Sequence, residues 1–251
     1  MKLVTNNRLD PSDPDVIRFN EFLLRLQDGE NTVEDWEYVK NIGSKDSISA
    51  EDWNAFEVDD IVHLYATNKE VASRNSQYLN RVGNTIVRID SLNAGNGQRA
   101  TSNRAGDLEI KTYFCKGAYI LLTKNVWQSA GLCNGATGNI VEFLFSNNQP
   151  PPGLPECMIV DCGDAYTGPS IFGNALDWKG WVLIFPQKTE WLTSSTSTDS
   201  GSASHTRTMV PLRLCYAWTF WKAQGQTICS KVVASLGVRE MEHGLTYRFF
   251  S

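Results

Sequence analysis

Apolar residues near the start of the chain recur at helical spacing, at Val16, Phe19, Leu23 and Leu26. Asp13 stands where an N-cap belongs, Pro14 at the first helical position and Gly29 at the stop, so a helix is predicted between them. Residues 30–57 are acidic, with Trp36 and Trp53 in short helical stretches where their rings are expected to pack. The run Ile61-Val62-His63-Leu64-Tyr65-Ala66 reads as a buried strand, with His63 as a core histidine. Thr67-Asn68 then caps a helix through Val71, Asn75, Tyr78 and Leu79. Strand, cap and helix form an α/β unit.

From Asn84 to about Thr208 the pattern changes to short β runs: Thr85–Ile89, Leu108–Thr112, Ala118–Thr123, Gly138–Phe145, Cys157–Cys162 and Trp181–Phe185. Turn clusters such as Asn93-Ala94-Gly95-Asn96-Gly97 and Pro150-Pro151-Pro152-Gly153 separate them, which predicts a small antiparallel barrel. Thr193–Thr206 is polar and of low complexity, and predicts a mobile loop at the barrel's edge. Between Met209 and Ser235, apolar runs around Leu212–Trp218 and at Val232–Ala234 flank Lys222-Ala223-Gln224-Gly225-Gln226-Thr227. A cation, two amides, a hydroxyl and a glycine between two strands suit phosphate contact, although an ordinary surface loop has the same composition.

Composition adds the class. Hydrophobic residues at 41% and charged residues at 20% are globular values. No apolar run approaches the ~20 residues that span a bilayer, and the polar first residues do not form a signal peptide, so no membrane partner is expected. The net charge of −5 is uneven. Residues 1–60 hold 15 acids and 6 Lys/Arg, leaving 13 acids and 17 Lys/Arg in the remainder. Most of the chain is thus mildly basic, which permits a nucleic-acid groove. Cys157 and Cys162 lie five apart on a predicted strand and so face opposite ways. With Cys115, Cys133, Cys215 and Cys229 in apolar or strand-like settings, reduced buried thiols are expected, with disulfides or zinc as the alternative. His63, His205 and His243 are too dispersed for a metal cluster, so no metal site is expected.

The stretch Ala217-Trp218-Thr219-Phe220-Trp221-Lys222-Ala223-Gln224-Gly225-Gln226-Thr227 resembles motif V of superfamily 1 DNA helicases. It looks most like the Pif (petite integration frequency) family and the related helicase half of Helitron transposons, although Trp221 stands where the family usually has His. The resemblance extends along most of the chain. Arg8 matches the family's motif IV arginine, and Thr67-Asn68 its motif IVa. Gly117–Asn125 followed by Gly131–Gly138 is similar to the start of an SH3-like barrel inserted in the second RecA-like domain. Gly244-Leu245-Thr246-Tyr247 is similar to the start of motif VI. The family continues with three residues, Ser and a finger arginine. Here the chain ends at Arg248-Phe249-Phe250-Ser251, which is expected to be a frameshifted or mis-spliced end with Arg248 one turn upstream of the finger position.

The resemblance implies an α/β fold. A second RecA-like domain, residues 1–90 and 209–251, would be interrupted by an SH3-like barrel over 91–208. It implies ATP-driven 5′-to-3′ unwinding of DNA, with ATP and Mg²⁺ as the intact family's cofactors. Arg8 would sense the γ-phosphate, and Gln224 and Gly225 would line the nucleotide cleft. Thr67, Asn68, Thr219 and Lys222 would grip single-stranded DNA, with Lys124, Asn134 or neighbouring amides of the barrel near the strand. The setting implied is intracellular, nuclear or alternatively mitochondrial.

Yet G-x-x-x-x-G-K-[ST] is nowhere in the sequence. Gly43-Ser44-Lys45 lacks the earlier glycine and the hydroxyl, and Met158-Ile159-Val160-Asp161 lacks the Glu that should follow. The chain alone is therefore expected to bind no nucleotide tightly and to be inactive as a motor. Three readings follow: a helicase fragment completed by an N-terminal half, a stand-alone module with weak, salt-sensitive single-strand affinity, and a decayed transposon remnant.

Overall fold

Asp13 starts the first helix as an N-cap, its carboxylate accepting from the Asp15 amide at 2.9 Å. Pro14 follows, and Gly29 closes the helix at φ 75°. The computed structural model describes residues 13–43, 61–173, 178–194, 202–223 and 231–235. The chain divides into two compact units, Met1–Val71 with Trp218–Ser251, and Ala72–Ala217.

In the first unit, α1 (Pro14–Asp28) and α2 (Val33–Gly43) are tied by a bidentate ion pair. Arg25 Nη2 and Nε donate to the Asp35 carboxylate at 2.6 and 2.9 Å, and the Thr32 amide donates to it at 3.0 Å. Asp35 is buried, and the Arg25 guanidinium beside it holds its carboxyl well below the usual carboxylate range. Phe22 and Leu23 are the buried positions of α1. Trp36, by contrast, is exposed, so its ring is not the packing element the sequence suggested, and Trp53 lies outside the described residues.

Strands β1 (Ile61–Tyr65), β12 (Ala217–Thr219) and β13 (Lys231–Ser235) form one sheet in the order β12-β1-β13. Ile61, Val62, His63 and Leu64 are all buried, the pattern of a strand covered on both faces. β1 runs parallel to β13, from Ile61 opposite Lys231 to Tyr65 opposite Ser235. A parallel pair needs a long connection, and here the whole second unit lies between the two strands in sequence. α3 (Asn68–Val82) follows β1, and the single turn α4 (Phe220–Ala223) follows β12.

The second unit contains β2 (Val87–Asp90), β3 (Leu92–Ala94), β4 (Lys111–Phe114), β5 (Tyr119–Leu122) and β6 (Thr137–Leu144). It continues with β7 (Cys157–Asp161), β8 (Trp181–Ile184), β9 (Gln187–Ser194), β10 (Ser202–Met209) and β11 (Leu212–Leu214). All described pairings within it are antiparallel, in the orders β11-β5-β6-β7-β8, β3-β10-β9 and β2-β4. Ile89, Leu108, Phe114, Ile120, Leu122, Ile140, Met158, Val182 and Leu212 share its core.

Two expectations are corrected here. Thr193–Thr206 is not one loop: β9 and β10 pair residue for residue from Gln187 opposite Met209 to Ser194 opposite Ser202. Ser and Thr alternate as well in a ladder as in a loop, and the buried His205 and Arg207 on one face of β10 decide in favour of the ladder. The apolar run Leu212–Trp218 is likewise two strands in two sheets, parted by Cys215-Tyr216.

Arg207 organises this unit. It is completely buried, and its guanidinium donates to the carbonyls of Gly97, Ala100 and Leu108 at 2.6–2.7 Å and to Asn93 Oδ1 at 3.1 Å. Burial pushes its pKa down, as expected for a cation surrounded by neutral acceptors. The strand expected over Leu108–Thr112 begins instead at Lys111, and the Leu108 carbonyl is held by Arg207 rather than by a neighbouring strand. Gly95 lets its turn pack closely against β10: at φ 62°, a Cβ there would stand 2.5 Å from His205 Nδ1. Among the described cysteines all are free thiols. Cys115, Cys157, Cys162 and Cys215 are buried, burial pushing the Cys162 thiol up to about 12, whereas Cys133 is exposed, contrary to its apolar surroundings in sequence.

Candidate nucleic-acid interface

β1 ends at Tyr65, and the chain bends through Ala66 and Thr67 into α3. Thr67 is an N-cap in a reciprocal box with Glu70. Its amide and its hydroxyl both donate to Glu70 Oε2, at 3.1 and 2.6 Å, while the Glu70 amide donates back to Thr67 Oγ1 at 3.3 Å. Asn68, the first helical residue, is exposed. A helix start of this kind favours an anion, and here the anion in place is the protein's own carboxylate. Glu70 was not among the residues singled out from the sequence, although T-x-x-E carries the signal.

Thr219 closes β12, the hydrogen-bonded neighbour of β1. Its Oγ1 accepts from the Lys222 amide at 3.3 Å, so the hydroxyl and the cation belong to one turn. Phe220–Ala223 form a single helical turn, α4, which takes in Lys222 and Ala223 of the expected polar turn, whereas Gln224, Gly225, Gln226 and Thr227 lie outside the described residues. Within α4 Phe220 is buried, Lys222 half-buried and Trp221 exposed. Lys222 and Thr219 are thus brought together, and Thr67 and Asn68 follow the adjacent strand.

Lys124 lies in the other unit, just past β5. Its Nζ donates to Thr189 Oγ1 on β9 and is half-buried, and burial pulls its pKa down against the opposing influence of Asp107. It is a tethered cation. Nearby, the Asn134 amide donates to Asn125 Oδ1 at 2.9 Å. Arg8, Gln224 and Gly225 lie outside the described residues. Asp161, at the end of β7, accepts from the Gly163 amide at 2.9 Å. Among the described residues no group of three or more His, Cys, Asp or Glu side chains could hold a metal ion, and no helix is long and apolar enough to cross a membrane.

Thr219 and Lys222 share the turn after β12, and the Thr67 cap, its amide and hydroxyl engaged by Glu70, follows the neighbouring strand β1. Hydroxyls, amides and an ammonium are groups that hold phosphodiesters in place without reading bases. Residues 114–143, which span β5 and most of β6, match the family model described as the 2B domain of the DNA helicase Pif1. The fold is similar to a Pif1 helicase from Candida albicans, at 20% identity and TM-score 0.64, covering 93% of this chain and 50% of that one. It is also similar to a Bacteroides Pif1 in complex with ADP-AlF3 and ssDNA, at 14% identity and TM-score 0.61, covering 95% and 46%. A Bacteroides Pif1 bound to ssDNA matches at 16% identity and TM-score 0.59, covering 94% and 46%. No curated protein matches by sequence. The chain therefore resembles Pif1 helicases in fold, is mixed α/β like them, and spans about half their length.

Proposed function

We propose that this chain is the DNA-gripping second motor domain of a Pif-type helicase. Residues 1–90 and 209–251 would hold its RecA-like part, centred on the β12-β1-β13 sheet, and 91–208 an inserted SH3-like barrel, with β2 and β11 at the two boundaries pairing with barrel strands β4 and β5. In the complete motor, ATP-driven 5′-to-3′ translocation requires a phosphate cradle and a metal carboxylate, which an N-terminal half carries. This chain's sequence has no P-loop, so no catalytic step is assigned to it. Arg8 would complete the nucleotide site from this side, with Gln224 and Gly225 lining the cleft. Thr67, Asn68, Thr219 and Lys222 hold successive DNA phosphates, and Lys124 stays close to the strand from the barrel. Nucleus or mitochondrion is the setting such a motor fits.

The observation that carries this reading is the pairing of β12 with β1, which puts the Thr219–Lys222 turn and the Thr67 cap on neighbouring strands of one sheet. The test is a titration of labelled oligo(dT) at several salt concentrations, with ATP hydrolysis measured in parallel. Weak binding that falls with salt, and no hydrolysis above a buffer blank, is expected. Tight binding indifferent to salt, or ATP turnover that survives a second purification, would overturn it.

A further inference from the structure

We infer that Trp221 is a base-stacking platform that makes this site selective for unpaired nucleic acid, an inference resting on the DNA-gripping reading of Thr219 and Lys222. Three aromatics stand within four residues here, and the fold treats them differently. Trp218 is 6% exposed and Phe220 1%, whereas Trp221 is 40% exposed. The single helical turn explains the split. Successive helical residues point about 100° apart, so burying Phe220 turns Trp221 outward. The turn is also held at its start: Thr219 is paired into the sheet through β12, and its hydroxyl engages the Lys222 amide. Trp221 thus has an anchored backbone and a partly exposed side chain.

Lys222 and the hydroxyl of Thr219 can hold a phosphate, but a phosphate contact carries no means of telling single-stranded DNA from any other polyanion. An indole beside that cation supplies the missing discrimination. It stacks on any unpaired base, since every base has a π face, while a base in a duplex is already stacked on its neighbours. The occupant is therefore an unpaired nucleotide of any sequence, its phosphate toward Lys222 and its base on Trp221.

The test uses the full chain, two oligomers of equal length and anisotropy at several salt concentrations. One oligomer is oligo(dT), the other an abasic phosphodiester. The wild type is expected to prefer oligo(dT) by about 5- to 150-fold, the range of one stacked base. Trp221→Ala should lose most of that preference and keep the salt slope, while Trp221→Phe keeps part of the preference and guards against a folding defect. Lys222→Ala should weaken both oligomers alike and lower the slope. A preference unchanged in Trp221→Ala overturns the inference, as does equal weakening on both oligomers, the mark of a protein-docking or packing role. If Lys222→Ala behaves as expected in that case, the DNA-gripping reading survives. If the wild type binds neither oligomer, both fall.

Discussion

Replacing Glu70 by Gln should make this chain bind single-stranded DNA more tightly. In the structure one oxygen of Glu70 takes both donors of Thr67, its amide at 3.1 Å and its hydroxyl at 2.6 Å. A DNA phosphate that used those donors would stand about 4 Å from the carboxylate, where two unit charges repel by about 1 kcal/mol in a water-like medium. That corresponds to roughly fivefold in affinity. Gln keeps an acceptor at the same place in the capping box, so the helix start survives and only the favourable interaction of a negative charge with the helix dipole is lost, about 0.3–1 kcal/mol of stability. Anisotropy with oligo(dT) reads the affinity, and thermal unfolding checks the fold. The gain should be largest at low salt and shrink as salt rises. It should shrink when Thr67→Ala is added, because the hydroxyl donor is then gone and only the backbone amide remains. If Glu70→Gln binds no more tightly with its fold intact, or if the gain persists undiminished without the Thr67 hydroxyl, the placement of a phosphate at Thr67 is wrong.

Two further outcomes concern the scaffold. Arg207→Met should destabilise the second unit by more than about 3 kcal/mol, since it strands the carbonyls of Gly97, Ala100 and Leu108 beneath β10, and denaturant unfolding would measure it. The Arg25–Asp35 pair should make stability pH-dependent: because the Asp35 carboxyl is held below its ordinary value, its contribution is complete above the usual carboxylate pKa of about 4 and is lost as pH falls below it. Asp35→Asn should therefore cost stability at neutral pH, with its melting curve converging on the wild type's in acid.

Much of this was legible in the residues. Asp13, Pro14 and Gly29 mark the ends of α1 because capping chemistry is local. The apolar run Ile61–Leu64 marks β1 because a strand covered on both faces has no polar alternation to hide. What escaped depends on partners distant in sequence. Nothing near Arg207 announces that it will hold carbonyls about a hundred residues upstream, and the Ser/Thr-rich run around it reads as a loop until His205 and Arg207 are seen buried on one face. The run Leu212–Trp218 looked like one strand because apolarity does not say which sheet a residue joins. Glu70 is readable at its T-x-x-E spacing after Thr67, since a capping box is local chemistry. At the candidate interface, the residue types near Lys222 were visible in the sequence, but the outward turn of Trp221 against a buried Phe220 was not.

The claim that this chain grips single-stranded DNA through the turn after β12 is tested most directly by the salt dependence of oligo(dT) binding for the wild type and Lys222→Ala. For single strands, log K falls with log salt by about 0.7 for each phosphate neutralised. Losing the Lys222 ammonium should therefore lower the magnitude of the slope by about 0.7 and weaken binding similarly across DNA sequences, with stability changed by no more than about 0.5 kcal/mol. An unchanged affinity and slope, with a drop in melting temperature because the lysine's stem was covering Trp221, would contradict the account.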